Sequence, residues 1–66
     1  MNVILNGEVR QIGEGTTVAA LIEGLGRSPK GLAIAINEDV VHRGAWCDVE
    51  LRAGDRVEIL TAAQGG

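Results

Sequence analysis

Aromatic side chains are almost missing from this 66-residue chain: Trp46 stands alone, with no Tyr and no Phe. A core must therefore be assembled from Val, Ile and Leu, with Trp46 as a single large plug. Cys47 is the only cysteine, so an internal disulfide is excluded, which fits a reducing cytoplasm. His42 is the only histidine. Neither a His/Cys metal cluster nor a Cys–His catalytic pair has members to spare. Cys47, beside Trp46, is expected to behave as a small buried hydrophobe, and His42 as a surface loop residue. Basic residues are also scarce, 6 against 9 acidic ones, giving a net charge of −3. That balance argues against nucleic acid as a partner. It suits docking onto a basic surface of another protein. No apolar run approaches the ~20 residues of a membrane span. The opening Met1-Asn2-Val3-Ile4-Leu5 has neither the basic region nor the apolar length of a signal peptide. No membrane association is expected, and the cytoplasm is the expected location. A Walker loop is absent, and Gly13-Glu14-Gly15 is too short for a nucleotide fingerprint. Glu38-Asp39 reads as a solvated corner. No catalytic constellation remains, so a stand-alone enzyme is the least supported reading.

What is present is apolar and periodic. Hydrophobic residues make up 45% of the chain. That supports one small domain, although a chain of this size buries only about 60% of its unfolded surface. Asn6-Gly7 between Val3-Ile4-Leu5 and Glu8-Val9 is a strong two-residue hairpin signal, because both central residues of a type I′ turn need positive φ. Such a turn sets Leu5 opposite Glu8 and Ile4 opposite Val9, splitting the apolar residues between two faces. A bulge near Arg10 to Ile12 is one repair, and the sequence alone does not decide between it and a straight ladder. Thr17 is a credible helix N-cap. Val18, Leu21, Ile22 and Leu25 follow at the spacing of one helical stripe, with Gly26 at the C′ position and Pro29 beyond. Leu32-Ala33-Ile34-Ala35-Ile36 alternates large and small, so the large face belongs on the helix and the alanine face is left smooth. Asn37-Glu38-Asp39 turns into a short Val40-Val41 strand. His42 to Arg52 reads as an irregular crossover anchored by Trp46, Val49 and Leu51. After the tight turn Ala53-Gly54-Asp55, the last strand sends Val57 and Ile59 one way and Arg56, Glu58 and Leu60 the other.

This order predicts an α+β roll of the β-grasp, ubiquitin-like type, a mixed sheet of four to five strands with one main helix. Residues 57–61 are expected at its centre, beside the N-terminal strand. Residues 1–61 form the domain, and 62–66 read as a flexible tail ending in Gly65-Gly66. Two glycines in a row make a thin strip of backbone that threads where side chains would block. A β-grasp domain followed by such a tail presents the Gly66 α-carboxylate, rather than a side chain, as its reactive group.

At this point the chain resembles the ThiS family, the ubiquitin-like sulfur carriers of thiamin biosynthesis, over essentially all 66 residues. The likeness lies in Ile4-Leu5-Asn6-Gly7-Glu8, in Thr17-Val18 with Leu21-Ile22, and in Ala33-Ile34-Ala35-Ile36-Asn37. Val41-x-Arg43-x-x-Trp46, Gly54-Asp55-Arg56-Val57-Glu58-Ile59 and Gly65-Gly66 complete it. His42 departs from the pattern, standing where the family often carries proline. The resemblance implies that a ThiF-type enzyme, using ATP and Mg²⁺, adenylates the Gly66 carboxylate. Sulfur from a donor such as a cysteine desulfurase then gives a C-terminal thiocarboxylate, which passes to a thiazole synthase. The carrier itself would bind no cofactor stably, perform no catalysis and shuttle as a monomer. Gly65 would let the terminus enter enzyme channels. Leu60, on the face away from the helix and close to the tail, is the expected docking contact, with Ala33 and Ala35 extending the patch. Two alternatives stand beside this reading. One is a molybdopterin-type sulfur carrier, although those chains tend to be longer, richer in aromatics, and to carry proline where this one reads Thr61-Ala62-Ala63-Gln64. The other is a non-catalytic ubiquitin-like interaction module.

Overall fold

A computed structural model describes residues 1–61. Among these residues the chain forms β1 (Asn2–Leu5), β2 (Glu8–Gln11), α1 (Val18–Gly24), β3 (Leu32–Ile36), β4 (Asp39–Val41) and β5 (Arg56–Thr61), with a 3-10 turn at Arg43–Ala45. The five strands make one mixed sheet in the order β2-β1-β5-β3-β4. β5 is central, parallel to β1 and antiparallel to β3. This is the β-grasp architecture that the element order predicts.

The first hairpin follows its turn chemistry. Asn6 (φ 49°) and Gly7 (φ 85°) both take the left-handed region. The register pairs Leu5 with Glu8, Ile4 with Val9 and Asn2 with Gln11, one to one. Of the two arrangements left open by the sequence, the straight ladder forms, with Ile12 N–H donating to Met1 O at 2.8 Å. No repair is needed, because β2 is an edge strand with all four residues exposed. Val3 and Leu5 alone supply the buried face of β1.

α1 starts and stops where its sequence directs. Thr17 Oγ1 accepts from Ala20 N–H at 3.1 Å. At the other end Gly26 (φ 72°) closes a Schellman motif, with Gly26 N–H on Glu23 O and Arg27 N–H on Ile22 O. Val18, Leu21 and Ile22 are buried, and Leu25 packs against the same cluster. The helix is only 7 residues long, so packing rather than intrinsic helicity holds it.

The core lies between α1 and one face of the sheet. Ile34, Val57 and Ile59 meet Val3, Leu5 and the helix stripe, and the crossover adds Trp46 and Leu51. Full burial of such side chains is worth about 1.5–3 kcal/mol each. Trp46 is 4% exposed and its Nε1–H donates to Val41 O at 3.0 Å, so the ring is a plug whose one polar atom is satisfied. The crossover also completes the helix start. Val18 N–H donates to Val49 O and Ala19 N–H to Trp46 O. Thr16 and Glu50 flank this seam through Leu51 N–H on Thr16 O and the Thr17–Glu50 bridge.

The β3–β4 turn is tighter than its sequence suggests. Asn37 (φ 51°) and Glu38 (φ 76°) are its two central residues, and Asp39 already belongs to β4 opposite Ile36. Asn37 is tied to the start of β5: its Oδ1 accepts from Arg56 N–H at 3.0 Å, and its Nδ2 donates to Asp55 Oδ1, just before the strand, at 3.1 Å. Among the described residues, no helix is long and apolar enough to cross a membrane.

Candidate docking face and carrier terminus

The strand alternation of β5 decides what the domain shows on its open side. Val57 and Ile59 point into the core, so Arg56, Glu58 and Leu60 stand on the face away from α1. The register sets Leu60 across from Ala33 and Glu58 across from Ala35. One strand further, Ala35 faces Val40. Leu60 is 60% exposed and Val40 is 72% exposed. Ala33 is exposed and Ala35 half-buried. The result is a short apolar stripe across β5, β3 and β4, with two alanines at its centre and Glu58 set into it.

Leu60, Ala33 and Ala35 are thus brought together as their alternation in the sequence suggests. Val40 was missed. Its signal is the two-residue turn: once Ile36 faces Asp39, Ala35 must face Val40, and the small-residue face continues onto β4. Val9 is exposed on the same side, but it lies across Ile4, whose β5 neighbour is Arg56. It does not adjoin the Leu60 stripe.

β5 is also held near Thr61, its last described residue. Asn6 Oδ1 accepts from Ile59 N–H at 2.8 Å, and Asn6 Nδ2 donates to Ile59 O at 3.4 Å.

The groups that carry side-chain chemistry are dispersed. His42 is exposed, as expected of a loop residue. Cys47 is exposed as well, which corrects the expectation of a buried hydrophobe. Trp46 occupies the inward position of that turn, and the next residue points outward. Glu38 meets Arg56 at 3.9 Å in a pair open to solvent on both sides, an arrangement of little energetic weight. Among the described residues, no three His, Cys, Asp or Glu side chains lie close enough to share a metal ion. The helix N-terminus is no anion site either, since its first donors are taken by Val49 O, Trp46 O and Thr17 Oγ1. A groove of about 320 Å³ between α1 and the following loop is lined by Ala19, Ile22, Glu23, Arg27, Pro29 and Trp46 and gathers no converging polar set.

Gly65 and Gly66, the residues that the sequence singles out for chemistry, lie outside the described residues.

A β-grasp domain with one open apolar stripe defines a class of small ubiquitin-like carriers and binding modules. Comparison with known proteins narrows it. The ThiS family model matches residues 3–66. A sulfur carrier protein ThiS from Thermus thermophilus is 41% identical over 64 residues, covering 97% of this chain and 98% of that one. The crystal structure of the thiamine biosynthesis protein ThiS from Geobacter metallireducens superposes with a TM-score of 0.87 at 28% identity, over the whole of both chains. A thiazole synthase from Magnetococcus marinus is 38% identical over 66 residues, which span all of this chain but only 20% of that protein. The chain belongs to the ThiS family of sulfur carriers of thiamine biosynthesis. These matches fall on the thiamine side of the two sulfur-carrier readings.

Proposed function

We propose that this chain carries sulfur as a thiocarboxylate on Gly66 and delivers it for assembly of the thiazole ring of thiamine. The observation that carries the reading is the family match running through residue 66, so that it includes the Gly65-Gly66 terminus. The chemistry is that of a carboxylate made reactive. A free carboxylate is a poor electrophile; adenylation by a ThiF-type enzyme, consuming ATP with Mg²⁺ and releasing pyrophosphate, installs AMP as a leaving group. A persulfide supplied by a donor such as a cysteine desulfurase attacks the acyl carbon, and the C–O bond to AMP breaks. Reductive cleavage of the resulting acyl disulfide by a thiol leaves the thiocarboxylate. Oxyanion donors and water exclusion come from the partner enzymes. The carrier contributes a terminus without side chains and a docking face, and no catalysis of its own.

A thiazole synthase is the acceptor in this reading. It is supported by the thiazole synthase that contains a segment matching the whole of this chain. The apolar stripe of Leu60, Ala33, Ala35 and Val40 is the contact surface for the adenylating enzyme, and the net charge of −3 suits a basic rim on that partner. The work is placed in the cytoplasm, with the carrier acting as a monomer. Gly65→Val tests the threading requirement: pyrophosphate release with the adenylating enzyme is expected to fall to background. Normal adenylation of that variant would remove the steric role of Gly65.

A further inference from the structure

Asn6 carries out two tasks at once, and only the first is a turn requirement. Its left-handed φ of 49° opens the β1–β2 hairpin. Its carboxamide meanwhile reaches across to β5, where Oδ1 accepts from Ile59 N–H at 2.8 Å and Nδ2 donates to Ile59 O at 3.4 Å. The position explains why. Asn6 N–H donates to Val57 O at 2.9 Å, the last backbone bond that β1 gives β5. In a parallel ladder the next bond runs from Ile59 N–H to the backbone carbonyl of Asn6. The hairpin turn swings that carbonyl away, and the side-chain carbonyl takes its place. Beyond Val57, β5 is held on its other side by β3 through Ala33–Leu60 and Leu32–Thr61. On the β1 side, Asn6 is what holds it.

We propose that Asn6 is a positioning residue for sulfur transfer. Its side chain extends the parallel ladder past the point where β1 ends, and so holds the last described residues of β5, Ile59 to Thr61, in place for a partner. The inference deepens the sulfur-carrier reading and rests on it for its kinetic consequence. It acts through Ile59, two residues before the end of β5, and touches no reacting atom. A strand end held on both sides meets a partner already ordered. A strand end held on one side only must first be ordered, and that ordering cost appears in binding rather than in the chemical step.

Asn6→Gly isolates the side chain, because glycine keeps the left-handed turn. Asn6→Asp keeps both the turn and an acceptor for Ile59 N–H. Amide hydrogen exchange on the full chain reports the clamp directly. In Asn6→Gly, exchange at Ile59 is expected to quicken about two- to tenfold, the range for loss of one net hydrogen bond, while Ile34 and Leu21 keep their rates. In Asn6→Asp, Ile59 remains protected. In adenylation assays with a ThiF-type enzyme, Asn6→Gly is expected to raise the KM for the carrier by a similar factor with kcat held, and Asn6→Asp to restore it in large part. Unchanged exchange at Ile59 in Asn6→Gly would overturn the proposal. So would a uniform loss of protection extending to Ile34 and Leu21, or an unchanged KM. Failure of the sulfur-carrier reading would appear separately, as no pyrophosphate release with the wild-type chain. The exchange comparison would then still decide whether Asn6 clamps Ile59.

Discussion

Leu60 stands directly across from Ala33 on the open face of the sheet, so the largest exposed apolar side chain of β5 has only a methyl group beside it on β3. The leucine therefore projects from its neighbours instead of packing among them. A partner docking there would gain most of that area, and the free domain loses little by its removal. Leu60→Asp is expected to leave the melting temperature nearly unchanged, since surface substitutions usually stay within about 0.5 kcal/mol. The same change should raise the KM for the carrier with a ThiF-type adenylating enzyme about tenfold or more, because it desolvates a charge at the centre of the contact. Val40→Asp, on the far side of the alanines, should do the same more weakly. Steady-state pyrophosphate release alongside thermal melts measures both. Unchanged kinetics in Leu60→Asp would remove this stripe as the docking surface.

Glu38 occupies a left-handed turn position, φ 76°, that glycine takes without strain. For a residue with a Cβ this costs about 1–2 kcal/mol. Part of the gain on replacement is offset by the greater freedom of glycine in the unfolded chain. Its ion pair with Arg56 spans 3.9 Å between exposed groups and offers little to lose. Glu38→Gly is expected to stabilise the domain by about 0.5–1 kcal/mol, read as a rise of a few degrees in melting temperature. A fall would show that the turn is held by Glu38 contacts rather than strained by them.

Trp46 is the one residue that joins β4, the crossover and the helix start: its Nε1–H donates to Val41 O, and its own carbonyl accepts from Ala19 N–H. Trp46→Ala is expected to cost about 3–5 kcal/mol, enough to unfold a domain of this size. Trp46→Phe keeps most of the volume but leaves Val41 O without this donor, and about 1–3 kcal/mol is expected. Urea denaturation followed by far-UV circular dichroism distinguishes the two. A Phe variant as stable as the wild type would mean that the ring, not its N–H, does the anchoring.

Much of the fold is legible in the sequence because local signals agree with the packing. Asn6-Gly7, Thr17, Gly26 and the strict alternation of residues 32–36 each fix one element and its buried face. The parts that were not legible depend on register between distant segments. Whether a bulge brings the apolar residues of the first hairpin onto one face was open in the sequence, and the edge position of β2 decides it by leaving Val9 on the open face at 71% exposure. Val40 joined the apolar stripe only once Ala35 was paired with it. Cys47 looked like a core residue beside Trp46, but neighbouring residues in a turn point different ways. The second task of Asn6 is invisible from spacing, because its partner lies 53 residues away. The expected reactive terminus, Gly65-Gly66, was read from the sequence and the family resemblance, and it lies outside the described residues.

The chemistry itself is tested most directly by intact mass spectrometry of the chain after incubation with ATP, Mg²⁺, cysteine, a cysteine desulfurase, a thiol reductant and a ThiF-type enzyme. Fragmentation is essential, because oxidation at Met1 or Cys47 adds nearly the same mass as exchanging oxygen for sulfur. The expected result is one oxygen replaced by sulfur, located at Gly66 and dependent on ATP. A plain carboxylate at Gly66, in the presence of an adenylating enzyme competent on another carrier, would contradict the sulfur-carrier function.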